Sequence, residues 1–440
     1  MENKTNNKPS ILEYDVANLD MTSNNRSINS DLYQAMFPIY HISKLSGVFP
    51  IRFVRQVSGR YQGRLSIIDS IYSLCLLVCL ISAQIWGFWR DIRYGWEYSI
   101  RLNSKNTVIA TTSDVFGVMS LTAASIISSI LCWQQVVTVI NILVDCDEKL
   151  GILSPKKLQR CTILLTLCSI SYSIILSCLD FYAWNCRVKQ NKKIDDKGPL
   201  NYFLLYFMYI VIIMMEIQCA IIVYNVGQRF SRVNKSIENI LKSSKITNQF
   251  RRDLGLAGDL QDRGQLIAYI RQEMVGNTRM FRKSKIMDST IANDDRNFTD
   301  SISKLVTVHG SLCDTISLIN SAYGVVVLAV TITCLIHLII TPYFMIMETD
   351  GKREPLFFVV EVLWCIFHVS RLLMIVQPTY ATRMQGKKTA ILVSQLLSAS
   401  HDRKETKQLE IFSLQLLHRP LEFSVCGLFT LDRTLVTSVK

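Results

Sequence analysis

Six apolar runs, each long enough to cross a bilayer, constrain this chain more than any other feature of its sequence. They lie at approximately 65–89, 108–133, 161–184, 201–226, 321–347 and 355–379. A hydrocarbon core about 30 Å thick takes roughly 20 helical residues to span. With no water there to satisfy backbone N–H and C=O groups, such runs must bond internally as helices. The expected fold class is therefore all-α, a polytopic membrane helix bundle with six complete transmembrane helices. Hydrophobic residues at 49% against charged residues at 19% agree with it.

Sidedness follows from Lys and Arg beside the spans. Arg52, Arg55, Arg60 and Arg64 crowd the entry to the first, Arg229, Arg232 and Lys235 follow the fourth, and Arg383, Lys387 and Lys388 follow the sixth. Positive loops stay inside, which gives a cytoplasmic amino terminus. Arg187, Lys189, Lys192, Lys193 and Lys197 in the loop 185–199 count the other way. The first 64 residues are polar, so the first span itself is expected to act as the targeting signal. The net charge of +13 reads as cytoplasmic loops facing membrane lipid, not as a nucleic-acid surface.

The same reasoning divides the chain into a cytoplasmic segment 1–64, transmembrane helices 1–4 over 65–226, and a cytoplasmic loop 227–320. Transmembrane helices 5–6 occupy 321–379 and anchor helices 380–434. Within the loop, "RFSRVNKSIENIL" continues the fourth span at helical spacing and "ISKLVTVHGSLCDTISLIN" leads into the fifth, while the polar middle is expected to be disordered. Pro378 should end or bend the sixth helix, and Leu409, Phe412 and Leu416 form an amphipathic stripe beyond it. Sequons at Asn3, Asn25, Asn234 and Asn297 all fall on the cytoplasmic side and read as chance matches.

Enzymatic and cofactor classes find no support. There is no G-x-S-x-G, P-loop or H-E-x-x-H, so neither cofactor nor catalytic residues are expected. Most of the thirteen cysteines sit inside or at the ends of spans, which argues against a disulfide framework, and none is spaced with histidine for zinc. A G-protein-coupled receptor is disfavoured, since no Asp-Arg-Tyr follows the third span and no Asn-Pro-x-x-Tyr occurs.

The informative residues are polar ones within the spans. A charge near the bilayer centre costs roughly 2.5–3.5 kcal/mol on insertion scales, so such residues face a cavity or a partner. Asp114, Asp180, His337, Tyr343, Glu361 and Trp364 come out in the outward half when the spans alternate direction, His368 lies in the sixth span, and Gln218 lies mid-span beside Glu216. Carboxylates, imidazoles and aromatic faces together suit a small polyhydroxylated ligand. Trp184 and Tyr202 read most simply as interfacial aromatics, and Asp180 as close enough to the interface for solvation. Arg371 lies about 15 Å along the helix from Glu361, too far to pair with it, and reads as facing the cytoplasm.

The segments "SLCDTISLINSAYGVVVLAVTITCLIHLIITPYF", "LWCIFHVSRLLMIVQPTY" and "FSLQLLHRPLEFSVCGLFTLDRT" resemble the carboxy-terminal half of insect gustatory receptors. The likeness extends upstream through "IYHISKLSGVFP" and "VGQRFSRVNKSI". Asp114 in "TSDV", Asp180 in "CLDF", Gln218, His337 in "CLIHL" and Trp364 with His368 in "LWCIFH" are most similar to the fructose-sensing branch. "FSLQLLHR" and "LDRTL" are also like a broadly tuned neighbouring branch. The resemblance implies a homo- or heterotetrameric, ligand-gated, non-selective cation channel for tastants such as sugars, in the plasma membrane of sensory neurons. Its ligand site would include Asp114, Asp180, Trp184, Gln218, His337, Glu361, Trp364 and His368. It also implies a seventh, pore-lining span, of which Leu435 to Lys440 would be only the beginning. A non-conducting regulatory subunit, or a receptor for non-sugar tastants, is the alternative expectation.

Overall fold

A computed structural model describes residues 30–55, 61–95, 105–151, 155–190, 202–253, 292–347, 355–400 and 403–433. The polar loop middle expected to be disordered and the expected start of a seventh span lie outside the described residues. Six helices are long and apolar enough to cross a membrane: α2 (Ile67–Gly95), α3 (Lys105–Leu131), α5 (Pro155–Gln190), α6 (Phe203–Asp253), α7 (Ala292–Met347) and α8 (Pro355–Ala399). The remaining helices among the described residues are α1 (Ser30–Leu45), α4 (Trp133–Leu150) and α9 (Arg403–His418). Among the described residues there are also two short antiparallel hairpins, β1 (Ile51–Arg55) with β2 (Tyr61–Leu65), and β3 (Ser424–Val425) with β4 (Phe429–Thr430).

Helix length separates the molecule into two regions. The 51 residues of α6, 56 of α7 and 45 of α8 make rods of roughly 70–85 Å at 1.5 Å per residue, more than twice the thickness of the hydrocarbon core. Each therefore projects well beyond the bilayer. α6 is the spine: 89% of its apolar window is buried, against 28% for α2 and 22% for α5, which present most of their surface to lipid. α8 packs along α6, while α3 and α4 lie against α7. Several hydroxyls inside the bundle bond back to their own helix. Thr122 donates to Val118 O at 2.8 Å, Ser125 to Leu121 O at 2.8 Å and Thr331 to Val327 O at 2.8 Å, which satisfies these O–H groups without a second helix.

Several elements went unrecognised in the sequence. The amino-terminal segment holds α1 and the first hairpin: Ile39, Val48, Phe49 and Ile51 bury themselves against the bundle. The chain leaves α1 through Gly47 at φ 74°, a left-handed position that favours glycine. α4 carries the chain of α3 past a break at Cys132, burying Val136, Val139 and Leu143. Pro378 does not end the helix, since α8 continues through it to Ala399. Proline leaves the carbonyl four residues back without its helical donor. Just beyond it the Thr379 hydroxyl donates to Val376 O at 2.7 Å and Ile375 O at 3.3 Å.

Beyond the spans, polar side chains buried among the rods lock them together. Arg229 on α6 is fully buried; its Nε donates to Leu143 O at 3.2 Å, Nη1 to Asn225 O at 2.9 Å, and Nη2 pairs with Asp147 on α4. Arg232 also approaches Asp147, at 3.7 Å. Next to this pair, burial pushes the Cys146 thiol up to about 11, so it packs as a neutral group. Asn234 donates to Gln385 O at 2.9 Å and accepts from Thr389 at 2.6 Å on α8. That leaves its sequon amide inside the protein, in keeping with a chance match. Leu409 and Phe412 of α9 insert into the same region, Phe412 and Phe230 each placing a ring 5.4 Å from His309, while Ile411 and Leu414 stay exposed.

Replacing Asp147 with Ala strands the buried Arg229 guanidinium. The expected cost is about 3–5 kcal/mol, read as a lowered unfolding temperature of the detergent-solubilised protein and reduced surface delivery.

Candidate functional site

The polar residues of the spans converge between α3, α6, α7 and α8. His337 on α7 is the centre. Its Nδ1 lies 2.9 Å from Asp114 Oδ1 on α3, and its Nε2 lies 3.4 Å from the Tyr209 hydroxyl on α6. With Nδ1–H donating to the carboxylate, Nε2 is left to accept from Tyr209. His368 on α8 stacks on His337, ring centroids 4.1 Å apart and planes 14° from parallel. Trp364, one turn away on α8, stacks on His368 at 5.8 Å and meets Tyr209 at 5.0 Å. Asp114, His337, Trp364 and His368 are thus brought into one nest, to which the sequence reading had not assigned Tyr209.

Helical spacing explains the convergence. Glu361, Trp364, His368 and Arg371 follow steps of three, four and three, which places them along one face of α8. Tyr202, Tyr206 and Tyr209 do the same at the start of α6, and Asp180 and Trp184 on α5. The two stripes meet: the Tyr206 hydroxyl donates to Asp180 Oδ2 at 2.6 Å, and Trp184 stacks on Tyr202 with centroids 5.9 Å apart. Both expectations of solvation fail here. Asp180, Trp184 and Tyr202 are all buried, because α5 folds them against α6 instead of leaving them at the membrane surface. Glu361 is half-buried at the outer end of the α8 stripe.

Two residues depart further. Gln218 does not join the nest; its side-chain amide lies 3.4 Å from Val48 O, where it lines a small pocket with Ser128, Ser129 and Tyr323 under the amino-terminal loop. It stands nine residues from Tyr209 and about 13 Å farther along α6, so its mid-span depth belongs to another layer. Arg371 does not face the cytoplasm. It is 2% exposed and clamps Glu216 on α6, with Nη2 to Oε1 at 2.6 Å, Nε to Oε1 at 3.0 Å and Nε to Oε2 at 3.2 Å. Its Nη1 reaches His368 Nδ1 at 3.4 Å, and its guanidinium sits 5.9 Å from the Tyr209 ring. This buried pair closes the floor of the nest. The acid that partners Arg371 lies 155 positions away in sequence, on a different helix from the Glu361 that the spacing argument tested.

A bundle of membrane-crossing helices that gathers hydrogen-bonding and aromatic side chains between its spans defines a multi-pass membrane receptor. The 7tm chemosensory receptor family model matches residues 36–439, and the chain belongs to that family, which is not a family of enzymes. It is 25% identical over 421 residues to the gustatory receptor for sugar taste 43a of Drosophila melanogaster, covering 93% of this chain and 95% of that one. The putative gustatory receptor 28a of the same fly is 24% identical over 144 residues, about a third of each chain. Among solved structures, the olfactory receptor OR5 of Machilis hrabei shares the fold with a TM-score of 0.61 at 14% identity, over 93% of this chain and 95% of that one. The same receptor in complex with eugenol gives 0.55 at 15% identity.

Changing Glu216 to Gln leaves a buried guanidinium without its carboxylate, with an expected loss of about 3–5 kcal/mol. Replacing both partners by apolar residues, Glu216→Leu with Arg371→Met, should recover most of that loss in the same thermal assay. A double variant as unstable as the single one would show that the pair is more than mutual neutralisation.

Proposed function

We propose that the chain is a gustatory receptor subunit, part of a ligand-gated cation channel, that detects a sugar such as fructose in the plasma membrane of sensory neurons. The assembly would be a homo- or heterotetramer with the positively charged helix ends, the amino terminus included, in the cytoplasm. The observation that carries the reading is the nest itself. Asp114, His337 and Tyr209 supply acceptors and donors within hydrogen-bond reach of one another, beside the flat faces of Trp364 and His368. A pyranose or furanose offers hydroxyls to the first set and C–H faces to the second. Asp180 with Tyr206 and Trp184 with Tyr202 extend the same chemistry towards α5, and Glu361 borders it on α8. Gln218, in another layer, would act only indirectly. The sugar-taste relative, similar over nearly its whole length, supports the choice of ligand.

His337 and His368 are buried and in direct contact, so a sugar entering between them must part α7 from α8. Binding is in this way tied to helix movement, which is what a gated channel needs.

The test is ligand-evoked current or calcium entry in cells expressing the chain. Asp114→Asn and His337→Ala should each raise the half-activating fructose concentration by about tenfold or more, the worth of a hydrogen bond to a charged group, with surface expression retained. Gln218→Ala should shift it far less. Fructose responses unchanged in Asp114→Asn and His337→Ala would refute the site.

A further inference from the structure

The first hairpin presents a feature that sugar detection does not use. Its inner face, Ile51 and Gly63, packs on the protein, with Gly63 so close that a Cβ there would lie 2.6 Å from Val137 on α4. Its outer face carries Arg52 and Arg64, which are direct cross-strand partners. Side chains opposed in this way start about 5 Å apart, and like charges in that register repel. Both arginines are exposed. The carboxylate nearest to them, Asp69, is shared: Lys44 Nζ takes Oδ2 at 2.8 Å and Arg52 Nε reaches it at 3.4 Å. Arg64 Nη2 donates to the neutral Gln62 Oε1 at 3.3 Å. Two cations thus share one carboxylate, and Arg64 stands across the strand from one of them.

The position of this cluster gives it a ligand. Arg64 is three residues from Ile67, where α2 enters the bilayer, and Ile67, Ile68 and Ile71 all expose their side chains as a lipid-facing surface. The Tyr72 hydroxyl donates to Leu45 O at 2.7 Å, which draws the exposed Leu45 at the end of α1 to the same level. The paired guanidiniums therefore sit at headgroup height, at the rim of an apolar surface that acyl chains cover.

We infer that Arg52 and Arg64 form a clamp for the phosphate of an anionic phospholipid in the cytoplasmic leaflet, with Lys44 alongside. Two guanidiniums on facing strands can hold one phosphate from both sides with forked, charge-assisted bonds, and the anion relieves their repulsion. The bound acyl chains would lie along α2 beside Leu45. A multiply charged headgroup, such as a phosphorylated inositol lipid, suits the cluster best, since the site offers two positive charges in excess of Asp69. The site is separate from the sugar nest and stands whether or not the ligand there is a sugar.

The experiment uses the full chain in nanodiscs of phosphatidylcholine, with or without a minor fraction of phosphatidylinositol bisphosphate, and reads retained lipid by native mass spectrometry. Selective retention of the phosphorylated lipid by the wild type is expected. An Arg52→Gln/Arg64→Gln variant should bind it about thirtyfold more weakly, at roughly fivefold for each charge beside an anionic surface. An Arg52→Lys/Arg64→Lys variant should retain intermediate binding, and equal thermal stability of the three proteins in plain phosphatidylcholine shows that folding is not what changed. Undiminished lipid retention in the Gln variant overturns the clamp. Equal affinity for soluble inositol phosphate in the absence of membrane overturns the lipid assignment.

Discussion

A single salt bridge inside the bundle, Arg371 on α8 to Glu216 on α6, sets the geometry on which the rest of the membrane region depends. Neither ion could remain buried alone, since an unpaired charge in the bilayer is expensive and both side chains are buried in the bundle. The guanidinium fork meets both carboxylate oxygens, so it restricts rotation of one helix about its axis as well as sliding of one past the other. From that fixed point the nest follows. His368 is one turn from Arg371 on the same face of α8 and Tyr209 is two turns from Glu216 on the same face of α6, and the two rings meet at 6.3 Å. An apolar pair could hold the helices together equally well, but it would tolerate small rotations that the fork does not.

The same helices solve a second problem outside the bilayer. Beyond the lipid, α6, α7 and α8 are bathed in water, and polar side chains there would ordinarily be solvated. Instead Arg229, Asn234 and Thr389 are buried and bonded across helices, with Phe230, His309 and Phe412 packed beside them. Specific hydrogen bonding replaces the loose packing seen on the lipid faces of α2 and α5. One set of rods is thereby tied together by buried polar contacts both within the lipid and beyond it.

What could be read in the sequence tracks the strength of the physical penalty involved. The spans were legible because the bilayer forbids polar interruptions, and Asp114, His337, Trp364 and His368 stood out because polar and ionisable residues in such runs need a reason. Depth along a helix was readable, but direction around it was not. Gln218 is only two positions from Glu216, a rotation of about 200° that turns it away from Arg371 towards Val48. The partner of Arg371 was missed because spacing arguments connect residues of one helix and say nothing of a carboxylate on another. Tyr209 could be placed at the depth of the nest but not assigned to it, since a tyrosine in a span costs little and is common. α1 and the first hairpin hid within a polar stretch, their few buried residues too short a pattern to stand out. α4 merged with α3 because only Cys132 separates them.

The continuity of α8 joins the nest to the base. Had Pro378 broken this helix, movement near Trp364 would be absorbed at the break. The helix instead continues to Ala399, and its carboxy-terminal half grips the chain that follows the second hairpin. Arg383 bonds Asp432 at 2.8 Å, while Arg433 lies 4.0 Å over the Tyr380 ring and bonds Gln377 at 2.9 Å. Gln377 is less than two turns from Arg371 and Tyr380 about two and a half. A ligand that parts His368 from His337 therefore pushes on a rod whose other contacts hold residues 432 and 433, so displacement in the nest reaches that segment through rigid helix and not through loop. The ion pair with Glu216 lies between the two, and it determines whether α8 responds by tilting about that point or stays locked to α6.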